Sequence, residues 1–283
     1  MLGFTYKGRH SSEFGIVTKT SNRPIIPEQK AYYYETPYMD GEYDMSENNI
    51  LGRTVYRSRL FEITMQIVAN NIIELQHKLA KIASWLTGGG KLIFDDSNGT
   101  VWDARVSSDI GFSPESKGKS ALLKVFFKVN MGQASFNTID GITLDDAIAL
   151  NSDIPFDMGV YFIKHLKYGE NSIKFVNLGD FYSKPIFEFS SGPKNITCAF
   201  GDKRIMVENV STDIIIDMNR CIVTDGEGNN LLNKMQGKFF EFPSGVSPFN
   251  IYVDAECELK IRYVPKTIYD FDFSYIDWGD EGA

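Results

Sequence analysis

The sequence predicts a mainly β protein, a β-rich α+β chain of two domains, and three observations carry that prediction. Aromatic residues are abundant, with 21 Phe, 14 Tyr and 3 Trp against 10 Pro, and such side chains fit a pleated, half-buried surface. One segment, residues 71–86, has convincing helical periodicity. The second half is a succession of short runs punctuated by Gly, Asn, Asp and Pro, the pattern of a β-sandwich. At 283 residues the chain is long enough for two ordinary domains and too short for many more.

In the first half, Phe4 and Tyr6 and then residues 11–17, Ser-Ser-Glu-Phe-Gly-Ile-Val, read as two short strands around a polar turn. Pro24, Pro27 and Pro37 make residues 23–49 irregular, because proline excludes a helix and a central strand there. From Arg53 to Val68 the pattern has period two. Val55, Arg57, Arg59, Phe61, Ile63, Met65 and Ile67 share a face that changes from basic to apolar along the strand. A helix follows, with Asn71 as N-cap, Glu74 placed to reach back in a capping box, and Ile72, Leu75, Leu79, Ile82, Ala83 and Leu86 on one face. Gly88-Gly89-Gly90 stop it. Residues 91–106 form a hairpin with an Asn98-Gly99 turn, and 120–131 a further strand.

The domain boundary falls in residues 132–160, which hold a short helix from Thr143 and then Pro155. Ten strands are expected beyond it: 160–166, 172–177, 185–189, 195–200, 204–210, 213–217, 221–224, 238–242, 250–253 and 258–264. The expected divisions are a domain at 1–134, a linker at 135–158, a sandwich at 159–268 and an acidic aromatic tail at 269–283.

Charge is shared unevenly. Residues 1–134 hold 16 Lys+Arg and 14 Asp+Glu, a net +2; residues 135–283 hold 13 and 23, a net −10; together they give −8. A net-acidic chain without a basic domain is a poor sequence-reading binder of nucleic acid. No run of about 18 apolar residues is present, so no membrane span is expected. The opening residues lack the charged leader and apolar stretch of a signal peptide, which places synthesis and assembly in a cytoplasm. Three matches to the glycosylation pattern, at Asn98, Asn195 and Asn209, carry no meaning without a secretion route. Cys198, Cys221 and Cys257 are odd in number and widely spaced, which argues against a disulfide framework and zinc and for buried free thiols.

Catalytic constellations are missing from the sequence. His10, His77 and His165 lack a nucleophile-elbow motif and a second metal-type residue at useful spacing. Gly88-Gly89-Gly90-Lys91 follows a helix and precedes a strand, the reverse of a phosphate loop. Asp225-Gly226-Glu227-Gly228-Asn229 lacks the remaining ligands of a calcium loop and reads as a tight turn. Asp95-Asp96 reads as turn residues, since neighbours on a strand point to opposite faces and do not build a carboxylate pair. No enzyme activity, metal or cofactor is expected. The aromatics are the stronger signal. Tyr32-Tyr33-Tyr34, and Tyr161, Tyr168, Phe181 and Tyr182, suit contact with another subunit or a sugar face, with ordinary core packing as the plainer alternative.

The order of these features resembles the distal tail proteins of long, non-contractile-tailed phages of Gram-positive bacteria. In the first half the resemblance rests on Phe4-x-Tyr6, Ser12-Glu13-Phe14-Gly15-Ile16, Asp40-Gly41, Ile82-Ala83-Ser84-Trp85-Leu86 and Leu92-Ile93-Phe94-Asp95-Asp96. In the second half it rests on Asn177-Leu178-Gly179-Asp180, Ser183-Lys184-Pro185-Ile186, Ile215-Ile216-Asp217 and Phe242-Pro243-Ser244-Gly245 with Asn250-Ile251. The resemblance implies a homohexameric ring of N-terminal domains at the virion tail tip, joining the tail tube protein to a tail-associated tip protein and to receptor-binding or baseplate proteins. It also implies a galectin-like or carbohydrate-binding-module-like C-terminal sandwich, which docks the adsorption apparatus or touches a host surface glycan. Phage DNA would pass through the ring without specific binding. Tyr32, Tyr33, Tyr34, Arg57 and Arg59 are the candidate ring-interface residues, since a proline-aromatic segment and a basic strand end suit pairing across subunits. Tyr161, Tyr168 and Tyr182 are the candidate glycan or partner contacts. The alternative is a free-standing, lectin-like carbohydrate-binding module of a cell-wall-targeting assembly.

Overall fold

The structure is a computed structural model that describes residues 3–38, 40–107, 110–115, 119–134, 163–190 and 192–269. The chain divides into two units, Met1–Gly132 and Gln133–Ala283. The expected linker at 135–158, the short helix from Thr143 and the acidic segment from Asp270 lie outside the described residues.

The first unit contains β1 (Phe4–Tyr6), β2 (Arg9–His10), a 3-10 turn (Ser11–Phe14), β3 (Ile16–Asn22), β4 (Tyr33–Tyr34), β5 (Tyr43–Asp44), β6 (Arg59–Val68), α1 (Ile72–Leu86), β7 (Gly89–Phe94), β8 (Ser97–Val106), β9 (Phe112–Glu115) and β10 (Ser120–Ala134). Its main sheet runs β2-β1-β7-β8-β10-β6-β3, and β9 pairs with β10. β6 and β10 are antiparallel from Val68↔Ser120 to Arg59↔Val129. Period two then buries Phe61, Ile63, Met65 and Ile67 of β6 beside Leu123, Val125 and Phe127 of β10. α1 closes the core with Leu75, Ile82, Trp85 and Leu86. The Trp85 ring stacks on Phe14 at 4.4 Å between centroids, and its Nε1 donates to the Tyr6 carbonyl at 2.9 Å. A buried indole is thereby satisfied at its polar end.

Several local expectations are corrected here. Residues 11–14 form a 3-10 turn capped by the His10 side chain, with Gly15 left-handed at φ 66°. The strand expected from Arg53 begins at Arg59. Residues 23–49 include the two-residue strands β4 and β5. On α1, Ile72 and Ala83 are exposed and Leu79 is half-buried, while Trp85, left off the predicted face, is in the core. Asn71 caps the helix by accepting the Glu74 amide at 2.9 Å, but the Glu74 carboxylate accepts the amide of Asn70, one residue before the expected partner. The 91–106 hairpin forms, yet its turn is Asp95-Asp96 and Asn98-Gly99 lie in β8. The competing term is tertiary. The Asp95 carboxylate accepts the Gly3 amide at 2.6 Å, and Asp96 holds Arg23 through two oxygens.

The second unit contains β11 (Ile163–Leu166), β12 (Gly169–Asn177), β13 (Ile186–Phe189), β14 (Ile196–Phe200), β15 (Lys203–Val207), β16 (Ile214–Asp217), β17 (Ile222–Asp225), a 3-10 turn (Leu232–Lys234), β18 (Met235–Gly237), β19 (Gly245–Val253) and β20 (Cys257–Arg262). They form two five-stranded sheets, β11-β20-β13-β16-β17 and β12-β19-β14-β15-β18. Both contribute to a single hydrophobic core, the arrangement of a β-sandwich. The strand expected at 238–242 is not one. Phe240 and Phe242 are both buried, which mimics strand alternation, but the segment forms no ladder: Phe242 bridges Ser183, and the Lys238 amide donates to the Arg204 carbonyl at 2.9 Å. β18 lies just before it, and Gly237 is required there, since a Cβ would collide with the Arg204 carbonyl oxygen. Cys198 and Cys257 are buried, but Cys221 is exposed, contrary to the uniform burial expected. Burial, with the neighbouring Cys257, pushes the Cys198 thiol far up, and burial raises Cys257 to about 11.

Candidate subunit interface

The candidate interface is the excursion between β3 and β6. Two cationic side chains hold its base. Arg23 grips Asp96 and lies over the Phe94 ring at 4.4 Å. Arg59 is only 4% exposed; it donates to the carbonyls of Pro24 at 3.0 Å and Ile25 at 2.8 Å and lies 4.7 Å over Trp102. The outgoing and returning chains then pair. Lys30 donates to the Val55 carbonyl at 2.7 Å, Arg57 to that of Glu28 at 2.8 Å, and Met45 to that of Tyr32 at 2.8 Å. β4 and β5 pair as Tyr33↔Asp44 and Tyr34↔Tyr43. Hydrogen bonds from the hydroxyl and amide of Ser46 lower the Asp44 pKa. The outgoing and returning limbs of the excursion are therefore held together by backbone pairing.

Its side chains are not engaged in a core. Among the described residues, the hydrophobic core of the first unit takes nothing between Ile16 and Phe61. Tyr32, Tyr33 and Tyr34 are 63%, 56% and 51% exposed, and Ile25, Ile26, Tyr38, Tyr43, Ile50 and Leu51 are exposed as well. This run of exposed apolar side chains is what makes the segment a candidate interface. Of the five predicted interface residues, the three tyrosines stand on this arm. Arg57 lies on its return limb and pairs with Glu28 at 3.5 Å. Arg59 is spent inside its own unit as the anchor at the arm's base. Arg23, which sequence reading missed, does the same work; a cation just before Pro24 is the only signal it leaves.

A family model of the phage tail protein RIFT-related domain matches residues 10–129. The first unit is thus similar to a phage tail RIFT-related domain. The match takes in the whole arm, β6, the helix and the β7–β8 hairpin. No curated protein matches the sequence. Among solved structures, the chain is similar to the Dit protein of phage SPP1, described as a paradigm of hub adsorption apparatus in phages infecting Gram-positive bacteria. The TM-score is 0.69 at 9% identity, covering 94% of this chain and 99% of that one. At that identity the likeness is one of fold, and it extends through the sandwich beyond the RIFT-related domain. A weaker likeness, TM-score 0.46 at 12% identity over 95% of this chain and 99% of the other, is to a chain of the phage p2 baseplate in its activated conformation.

The predicted glycan or partner contacts divide. Tyr161 lies outside the described residues. Tyr168 is 70% exposed on the β11–β12 turn and hydrogen-bonds Tyr252 of β19, which raises the Tyr252 pKa. Beside them Asn250 donates to Glu170 at 2.9 Å. Tyr182 stands apart in sequence, on the connection from β12 to β13. Tyr252 was not singled out from the sequence, because only the β12–β19 register brings it opposite Glu170 and near Tyr168.

His10 and Asp225 serve the fold. His10 Nδ1 lies 2.6 Å from Ser12 Oγ and its Nε2 3.2 Å from Asp95, so the ring ties the 3-10 turn to the β7–β8 turn. Asp225 accepts the side-chain amide of Asn229 and the backbone amides of Asn229 and Glu227, which lowers its pKa and closes the tight turn read from the sequence. Among the described residues no cluster of three His, Cys, Asp or Glu is placed to hold a metal, and no helix is long and apolar enough to cross a membrane.

Proposed function

We propose that this chain is a structural hub of a phage tail tip, whose RIFT-related domains close a homohexameric ring through the 23–58 arm. One observation carries the reading: an arm ordered by its own backbone pairing presents Tyr32, Tyr33 and Tyr34 to solvent and gives nothing to its own core. Tyrosine supplies rigid, amphipathic contact area at low entropic cost. A head-to-tail contact of this kind generates a ring when its rotation closes. The match to a phage tail domain and the fold likeness to SPP1 Dit support placing that ring in the virion tail. Its partners there would be the tail tube protein above and a tail-associated tip protein with receptor-binding or baseplate proteins below, with DNA passing through. The protein acts by assembly and not by catalysis. The sandwich docks the adsorption apparatus, with Tyr168 and Tyr182 as contacts to a partner or to a host glycan. A free-standing lectin has no use for an anchored apolar arm, which favours the hub.

The test is assembly. Six subunits of 32.0 kDa give 6 × 32.0 = 192 kDa. Light scattering over a concentration series, followed by negative-stain imaging, should show that mass and six-fold rings, alone or with the tail tube protein as template. A strict monomer under both conditions would overturn the ring.

A further inference from the structure

A head-to-tail contact joins two different surfaces, so each subunit must carry a seat for the arm as well as the arm itself. The chemistry of the arm says what that seat requires. Residues 31–52 contain five acids, at 35, 40, 42, 44 and 47, and no Lys or Arg. On the β4–β5 pair Tyr34 and Tyr43 stand opposite one another, and Glu35 and Glu42 are their chain neighbours. Ser46 engages Asp44 and Thr54 engages Glu47, whereas Glu35 and Glu42 pair with no cation among the described residues. A matching surface combines ring area with positive charge that is not yet neutralised.

The first unit has such a surface away from the arm. A groove of about 930 Å³ lies between the chain from Lys7 to Gly15 and the second half of α1. Phe14 and Trp85, stacked on each other, are its floor. Four cations, Lys7, Arg9, Lys78 and Lys81, line it together with one acid, Glu13. Arg9 pairs with Glu13 at 2.9 Å, and Lys78 with Glu74 at 2.8 Å. The Lys7 ammonium donates to the Thr87 carbonyl, and neither it nor Lys81 pairs with a carboxylate among the described residues. Four cations against Glu13 and Glu74 leave an excess of two positive charges. No residue of the chain's own arm lines the groove.

We propose that this groove seats the β4–β5 pair of a second copy of the chain, with Tyr34 and Tyr43 toward the Phe14–Trp85 floor and Glu35 and Glu42 toward Lys7 and Lys81. The proposal rests on the arm being the ring interface and adds the surface that receives it. Rings at the centre exclude water, and opposite charges at the rim set the register.

Two subunits, each lacking one half of the contact, test it. Lys7→Glu/Lys81→Glu keeps the arm and reverses the groove. Tyr32→Ser/Tyr33→Ser/Tyr34→Ser keeps the groove and strips the arm. Each alone should sediment as a monomer of 32.0 kDa, and their mixture as a pair of 2 × 32.0 = 64 kDa that grows no further. Raising the salt to about 0.5 M should weaken that pair roughly tenfold. Reversing the arm too, in Lys7→Glu/Lys81→Glu/Glu35→Lys/Glu42→Lys, should restore the assembly of the natural chain, which separates lost charge from lost folding. A mixture that stays monomeric, or a charge swap that restores nothing, would overturn the seat. Six-fold rings that persist in Lys7→Glu/Lys81→Glu would overturn the seat and leave the ring standing. A pair that forms although the natural chain closes no ring would support the seat and overturn the ring.

Discussion

Arg59 shows how much a single position depends on its surroundings. From sequence it is the basic end of an alternating strand and a natural interface residue. In the fold its stem is buried and its guanidinium holds the first turn of the arm through two carbonyls. Arg59→Met keeps the apolar stem and removes the donors. The expected cost is about 2 kcal/mol of the first unit's stability by urea unfolding, with proteolysis rising first in residues 23–58. Glu74 is a second case. The Lys78 ammonium and the Asn70 amide hold its carboxyl at about 2, below the ordinary 4.5. The folded state then resists protonation that the unfolded state accepts. Its contribution is present above about pH 4.5 and is lost as the pH falls from there toward 2. Glu74→Gln should flatten the acid side of the stability profile in that window and leave neutral pH much less changed; parallel acid limbs in the two proteins would refute the assignment.

At the scale of elements, α1 and the arm behave oppositely. α1 was legible because a cap, a periodic apolar face and a glycine stop all agree, and such agreement is what makes a local prediction safe. Its ends were placed to the residue, yet the face was turned so that Ile72 was counted in and Trp85 out. Only the packing of Phe4 and Phe14 on Trp85 settles that orientation. Leu75 is fully buried, so Leu75→Ala should cost about 2–5 kcal/mol, read as a lower melting temperature of the first unit. The arm was legible only as irregular, because two-residue strands leave no periodicity. For the same reason its tyrosines are dispensable to folding. Changing Tyr32, Tyr33 and Tyr34 together to Ser should leave the subunit's stability within about 0.5 kcal/mol and abolish ring assembly on negative-stain grids. A large loss of melting temperature would show that the arm packs at home.

For the whole molecule, two separate hydrophobic cores underlie the two units. Residues 1–134 expressed alone should therefore melt cooperatively, with the transition that Leu75→Ala shifts; an unfolded fragment would show that the first core needs the second unit. The sequence by itself determined the β-rich class, the helix at Ile72–Leu86, most strands of the sandwich and the order of elements that points to a phage tail protein. Those features rest on periodicity and turn chemistry, which are local. It did not determine where the 91–106 hairpin turns, why 238–242 fails as a strand, or that Arg59 and Arg23 anchor an arm. Each of these was decided by partners far away in the chain: Gly3 and Arg23 at the Asp95-Asp96 turn, Ser183 at Phe242, and the carbonyls of Pro24 and Ile25 at Arg59. A hydrogen bond or ion pair closed across dozens of residues has no signature in the residues beside it, so only the tertiary structure could place it.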